Sequence, residues 1–355
     1  MNRLILIGNG FDLAHGLKTS YHDFILDYLK KCLINGLSEG IRQDGYKQFP
    51  IDDYLVITIK NLRNFNQFEI DSSKSIIELK QKFLVEIKYR NFEESFFSTI
   101  INSLNSKGWI DIERFYYEEL KKLYVRHVNN DKNGEKIPNI INRVSALNKQ
   151  LDYIKEKLRE YLNEHLRLNT IYNIREINSI IHDNLKYSMP MAQILLLNFN
   201  YTNLANKYKG VLDDVINIHG ELGNNDNPII FGYGDEVDKF YKEIEDLNEN
   251  EFFKHIKSFD YLKASNYNKL LDFIETTHFE AFTMGHSLGL SDRTLLNKIF
   301  EHSNCKKIKI FYHNDYTDYR NKTYEMSRHF KDKASMREKI VPFPDCIRMP
   351  QHDDK

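Results

Sequence analysis

The chain has 355 residues, 41% hydrophobic and 28% charged, a balance that builds a globular core and excludes a disordered chain. Its formal net charge is -1, so no general basic field draws in nucleic acid, which is not an expected partner. The three cysteines, Cys32, Cys305 and Cys346, are odd in number and far apart. They exclude a disulfide framework and a CxxC zinc site and suit a reducing compartment.

Residues 3 to 8 form an apolar, partly β-branched run that reads as a buried strand. Gly8-Asn9-Gly10 comes immediately after it, and residues 11 to 34 have helical texture. Ser20 is placed to cap a helix beginning YHDFILDYLKK, with Asp23 at the third helical position in a variant of the capping box. The first apolar run is too short for a signal peptide, Asp12 interrupts the residues after it, and no stretch is long enough to span a bilayer. A cytoplasmic protein without a membrane partner is expected.

From residue 38 to residue 189 the texture changes. Segments such as IIELKQKFLVEIKYRNFEESFFSTIINSL and DIERFYYEELKKLYVRHV carry apolar residues at helical spacing. Leu147, Leu151, Ile154, Leu158, Tyr161 and Leu162 trace one face of a long helix. Loops rich in Asn, Asp and Gly divide these segments. The region reads as a large, mostly helical insertion. After Pro190 strand texture returns in AQILLLNFN, DVINIHG, PIIFGYG, FEAFTMGH and KKIKIFYHN, each ending in Asn, His or Gly. Such runs, separated by helical stretches, predict an α/β fold with an open, largely parallel sheet. Ligands of these sheets bind beyond the carboxyl ends of the strands, where the polar residues fall. The expected organisation is a discontinuous nucleotide-binding α/β domain, residues 1–37 and 190–350, interrupted by the insertion at 38–189.

Within Gly8-Asn9-Gly10-Phe11-Asp12, glycine lets the backbone turn sharply and approach a ligand, and the helix beyond it offers amides to an anion. The dinucleotide pattern G-x-G-x-x-G would need glycine where Leu13 stands, which argues against a Rossmann dehydrogenase. Asp12 would repel a phosphate and fits better as a cap or an acceptor for sugar hydroxyls. A tight strand-to-helix turn with no ligand fits these residues equally well. In Asn198-Phe199-Asn200-Tyr201-Thr202-Asn203, strand alternation would put Asn198 and Asn200 on one side, where an amide can hold a water or a ribose hydroxyl without adding charge. Turn formation and helix capping account for Asn203. His219, in Ile218-His219-Gly220, ends a strand and is placed to act as a general base, although a lone histidine is more often structural.

In Met284-Gly285-His286-Ser287-Leu288-Gly289-Leu290-Ser291-Asp292 a strand enters a Gly/Ser turn and then a helix capped by Ser291 or Asp292. Gly285 and Ser287 suit a ribose or a phosphate. GHSLG matches the letters of the G-x-S-x-G nucleophile elbow, but nothing singles out Asp292, Asp315, His313 or His329 as partners of Ser287. Phe231-Gly232-Tyr233-Gly234-Asp235 reads as a loop over the site. Trp109 reads as a packing anchor and Glu113 as a surface or capping acid.

Taken in order, IGNGFDLAHGLKTSYHDF, WIDIE, NFNYTN, IHGEL, FGYGD and GHSLGLSD resemble the AbiH family of bacterial abortive-infection proteins. More distantly, the order is similar to sirtuin-like NAD-binding domains: a Gly-rich turn, an asparagine at a strand end, His-Gly, then a Gly/Ser turn. The resemblance implies a Rossmann-like (sirtuin-like) fold. It assigns Gly8 and Gly10 to the Gly-rich turn, Asn200 and His219 to catalysis, and Gly285 with Ser287 to the adenosine side. The paired CxxC motifs of the sirtuin zinc ribbon are absent, which argues against protein deacylation. The first turn reads GNGFD rather than an Ala/Ser-rich version, so its nicotinamide end is built differently.

The expectation is an anti-phage effector that binds NAD as its substrate and hydrolyses the nicotinamide–ribose bond, with Asn200 and His219 catalytic and no metal. Gly8, Asn9, Gly10, Phe11, Asp12, Asn198, Gly285, Ser287 and Asp292 would bind the dinucleotide. The expected partners are a nucleotide, a phage-derived trigger or protein acting through the insertion, and further copies of the chain. A non-catalytic sensor of a nucleotide or an ADP-ribose derivative is the alternative. A metal-dependent nuclease using Asp12, Asp235 and Asp292 ranks below both.

Overall fold

The computed structural model describes residues 1–51, 55–89, 96, 99–100, 103, 111–131, 138–168, 174–182 and 193–353. Among these the strands are β1 (Asn2–Ile7), β2 (Ile41–Gln43), β3 (Tyr46–Pro50), β4 (Leu55–Ile59), β5 (Val85–Tyr89), β6 (Ile194–Asn198), β7 (Asp214–Asn217), β8 (Phe279–Met284) and β9 (Cys305–Phe311). They form two sheets, in two compact units: Met1–Thr19 with Asn163–Lys355, and Ser20–Leu162. The first unit thus takes in the helix Arg175–His182, and the second takes the helix Tyr21–Ser38.

The first unit is α/β. Five parallel strands run in the order β7-β6-β1-β8-β9. The chain lays β6 and β7 on one side of β1, then crosses to the other side for β8 and β9. Every residue of β1, β6 and β8 is buried, as a sheet covered on both faces requires. Leu4, Leu6, Leu195, Leu197 and Ala281 belong to one core; Ile5, Ile7, Ile194, Leu196 and Phe282 belong to the other. Strand alternation thus splits one continuous apolar run between two layers. Arg3 and Glu280, paired across β1 and β8, form a buried ion pair inside the sheet.

The second unit carries, beside its helices, the antiparallel sheet β2-β3-β4-β5, which the helical spacing did not reveal. β5 lies inside a segment whose apolar residues fall at helical spacing. The helix there, Ile76–Phe83, stops at Leu84, which takes a left-handed φ of 49°. Val85 and Ile87 then pair with Ile59 and Ile57. The alternation of Val85 and Ile87 with Glu86 and Lys88 is a strand signal that the helical spacing around it hides. The long helix Pro138–Leu168 does bury Leu147, Leu151, Ile154, Leu158, Tyr161 and Leu162. Tyr161 packs its ring on Phe24 of the helix Tyr21–Ser38, 5.8 Å between centroids. Ser20 caps that helix, accepting from the Asp23 amide at 3.1 Å.

Ahead of that helix, Asn9–Ala14 is a separate six-residue helix, with Gly16 just beyond it at φ 81°. One further expectation is corrected. PIIFGYG is not a strand; its backbone bonds go to loops, Ile230 N–H to the His219 carbonyl at 2.8 Å and Tyr233 N–H to the His255 carbonyl at 2.9 Å. Among the described residues, no helix is long and apolar enough to cross a membrane.

Candidate functional site

Strand register builds the site. Ile7 pairs with Asn198 on one side and Met284 on the other, and Asn198 pairs in turn with Asn217. The residues just past these ends therefore lie side by side: Gly8 to Asp12, Phe199 with Asn200, Ile218 with His219, and Gly285 with His286. Two of the three junctions flank β1, where the strand order reverses. In open parallel sheets that is the usual place for a ligand.

The two glycine turns lock onto each other. Gly10 N–H donates to the Gly285 carbonyl at 2.8 Å. A Cβ on Gly285 would lie 2.2 Å from the Phe11 nitrogen, and one on Gly8 would lie 2.7 Å from the His286 Cα. Glycine at 8, 10 and 285 is thus required by backbone packing. The Gly10 amide is engaged by this backbone bond. Phe11 is core, 4.5 Å from the His15 ring and 5.7 Å from that of Tyr208. Asn9 is exposed and accepts from the Thr19 hydroxyl at 2.6 Å.

Asp12 is buried beneath this turn. Its carboxylate accepts from Asn200 Nδ2 at 2.9 Å and from the Thr202 hydroxyl at 2.8 Å. Burial pushes its carboxyl up to about 7, against the donors Thr202, Asn200 and Thr19. Asn200 Nδ2 also donates to the Gly8 carbonyl at 3.0 Å. Two acceptors fix the orientation of the amide, and among the described residues no donor reaches its Oδ1. Asn198 plays another part. The strand ends there, and the side chain braces the turn: Nδ2 donates to the Thr202 carbonyl at 3.1 Å and to Asn217 Oδ1 at 2.9 Å, while Oδ1 accepts the Asn200 amide at 2.9 Å. These bonds engage both the oxygen and the nitrogen of its amide.

His219 lies in a second buried cluster. Its Nδ1 is 3.2 Å from the Phe199 carbonyl, which only accepts, so Nδ1 carries the proton. Its Nε2 lies 3.1 Å from Asp292 Oδ1 and 3.3 Å from the Tyr261 hydroxyl. Lys257 Nζ donates to the same Asp292 Oδ1 at 2.8 Å. On the far side of Asp292, Oδ2 is 3.6 Å from His286 Nε2. His286 Nδ1 accepts the Leu288 amide at 2.9 Å, which fixes it as a neutral ring. The Phe199 ring packs against both imidazoles, 5.1 Å from His219 and 4.2 Å from His286.

This crowding sets the electrostatics. Burial, and after it the charge of Lys257, pull His219 below 6.5, while Asp292 resists. Burial pulls His286 down to about 3. Burial also works to raise Asp292, but Lys257, His219 and His286 hold it well below the ordinary carboxylate value. Asp292 occupies the capping position of the helix Arg293–Phe300 without a side-chain capping bond, which corrects its expected role as a cap.

Lys257, Tyr261, His286 and Thr202 were not singled out by sequence. His286 stands inside a segment that drew attention for its glycines and serine. Lys257 has no local signal: it arrives through the pairing of Tyr233 with Ile256. Ser287 is exposed, and positive φ falls at Gly285 and Leu288 rather than at Ser287, unlike a strained nucleophile elbow. Asp315 caps the helix Tyr316–Ser327, and His329 Nε2 donates to the Leu288 carbonyl at 2.9 Å. Asp235 pairs with Arg293 Nη1 at 3.2 Å. Asp12, Asp235 and Asp292 thus answer to three different partners, and among the described residues no group of three or more His, Cys, Asp or Glu is disposed to hold a metal. Glu113 is buried in the second unit, where a surface position was expected; Trp109 lies outside the described residues.

An α/β unit with acid–base residues gathered at the carboxyl ends of a parallel sheet defines the class. The family model described as "Bacteriophage abortive infection AbiH" matches residues 4–314, and the chain belongs to that family. No curated protein and no solved structure matches.

Proposed function

We propose that this chain is an effector of abortive infection that works in the cytoplasm, and that its Rossmann-like, sirtuin-like unit binds NAD and hydrolyses the nicotinamide–ribose bond. Membership of the AbiH family supports the defence role. The observation that carries the chemistry is the placing of Asn200, His219 and Asp292 past the ends of β6, β7 and β8, with Asn200 bonded to the turn after β1 and His219 facing Asp292. The C1′–N bond breaks toward an oxocarbenium-like sugar, and nicotinamide leaves with the bonding pair. Positioning and electrostatics count for more here than a strong nucleophile. Asn200, its N–H groups engaged by Gly8 and Asp12, offers Oδ1 to a ribose hydroxyl or to the attacking water. Water adds at C1′ and gives up a proton to His219 Nε2. The new Nε2–H then meets Asp292 Oδ1, already 3.1 Å away. Gly285 and Ser287 take the adenosine side, and the helical part of the second unit answers a phage trigger or further copies of the chain.

A second reading, a sensor that holds a nucleotide without turning it over, is favoured by the deep burial of His219. Purified protein incubated with NAD separates the two. Nicotinamide and ADP-ribose, formed by wild type and lost in Asn200→Ala and His219→Ala, are the expected products. Equal turnover in all three proteins removes these residues from the mechanism. Saturable binding with NAD recovered intact selects the sensor.

A further inference from the structure

Asp292 is the carboxylate that faces both imidazoles of the cluster, His219 at 3.1 Å and His286 at 3.6 Å. A buried carboxylate beside a histidine, with no other cation, holds a proton on that histidine. The histidine is then an imidazolium and cannot accept another proton. Lys257 changes this balance. Its side chain is fully buried, and its ammonium sits 2.8 Å from the same Asp292 oxygen that faces His219.

The fold goes to some length to place that ammonium. Lys257 N–H donates to the Tyr233 carbonyl at 3.0 Å, and Tyr233 N–H to the His255 carbonyl at 2.9 Å. Gly234 N–H donates to the Ser291 carbonyl at 2.8 Å, and Thr294 N–H to the Gly234 carbonyl at 3.0 Å. A Cβ on Gly232 would lie 2.1 Å from the His255 carbonyl oxygen, and one on Gly234 would lie 3.1 Å from that of Ser291. The FGYGD loop therefore ties the Lys257 backbone to the segment that carries Asp292.

We infer that Lys257 is a positioning residue of the proposed site: it supplies the positive charge that balances Asp292 and so keeps His219 neutral and able to take a proton. The inference rests on the reading of His219 as the proton acceptor. Other titratable groups among the described residues lie around the cluster. Tyr261 faces His219 Nε2. Lys322 donates to the His286 carbonyl at 2.8 Å. His329 binds the Leu288 carbonyl, and Arg293 pairs with Asp235. Lys322, His329 and Arg293 are each directed at a backbone carbonyl or another carboxylate, and among the described residues Lys257 is the lysine or arginine that meets Asp292 directly. The downward pull of Lys257 on His219 agrees with this geometry.

The test is histidine NMR on the full chain labelled at the imidazole carbons, with the His219 signal identified by its loss in His219→Gln. In wild type the signal is that of a neutral ring at neutral pH; an imidazolium signal there overturns the inference without any substitution at Lys257. In Lys257→Met the His219 titration moves up by about one pH unit or more, while Lys257→Arg keeps it near the wild-type position. A Lys257→Met protein that is folded by circular dichroism and shows an unmoved His219 titration also overturns it. NAD turnover is measured alongside, and the acid limb of its pH profile moves with the NMR titration. A shift without turnover in wild type sinks the hydrolase reading and leaves the charge balance standing; turnover with no shift does the reverse.

Discussion

Gly10 donates its amide to the carbonyl of Gly285 at 2.8 Å, so a turn near the start of the chain and one near its end are a single piece of packed backbone. Gly285 has φ 71°, and a Cβ there would reach the Phe11 nitrogen. Gly285→Ala is therefore expected to lose at least about 2 kcal/mol of stability through strain and collision. Urea denaturation measures it. A loss near zero would show that the two turns are not in contact.

Removing Asp292 leaves the Lys257 ammonium buried without its carboxylate. Asp292→Leu should cost roughly 3–5 kcal/mol, and Asp292→Leu with Lys257→Met should recover much of that loss, because the pair is then replaced by apolar groups. Denaturant midpoints of both single variants and the double variant close the cycle. Additive losses would mean that the two side chains do not interact.

Asp12 gives stability a pH dependence of unusual sign for a carboxylate. Its carboxyl stands at about 7 in the fold, above the ordinary 3.8. The folded state therefore binds the extra proton between those values, and the contribution of Asp12 is fully present below the lower one and lost as pH climbs through the upper one. Thermal melts of wild type and Asp12→Asn at acid and mildly alkaline pH should show the variant gaining on wild type as pH rises. A gap that does not change with pH would place Asp12 in water.

His286 works the other way. Burial lowers it from 6.5 to about 3, so the unfolded chain takes up a proton that the fold refuses. Its contribution is present above the ordinary value and is lost as pH falls toward the lower one. His286→Asn, whose Oδ1 can accept the Leu288 amide, should flatten the fall in melting temperature across that window.

Ser287 separates two chemistries at small structural risk. It is exposed, and Ser287→Ala should change stability by less than about 0.5 kcal/mol. As a contact to the adenosine ribose its loss raises KM for NAD and spares kcat. A collapse of kcat would instead make Ser287 a nucleophile.

Local pattern was enough for much of this protein. The apolar runs of β1, β6 and β8, the cap at Ser20 and the apolar face of Pro138–Leu168 depend on residues close in sequence, and they were legible there. So was the position of Asn200 and His219 just past strand ends. The strand β5 was not, because Val85 and Ile87 commit to a strand only when β4 lies beside them. Asn198 stood as fair a candidate for ligand contact as Asn200, and their different amide partners appear only in the tertiary structure.

What sequence by itself determined was the alternation of strands and helices and the polar residues that end the strands, since both are set by the nearest few side chains. Tertiary structure alone decided that Gly10 meets Gly285, that Asp12 is held by Asn200 and Thr202, and that Lys257 reaches Asp292. These are contacts between distant segments, and the charge state of a buried group depends on every neighbour that folding brings to it.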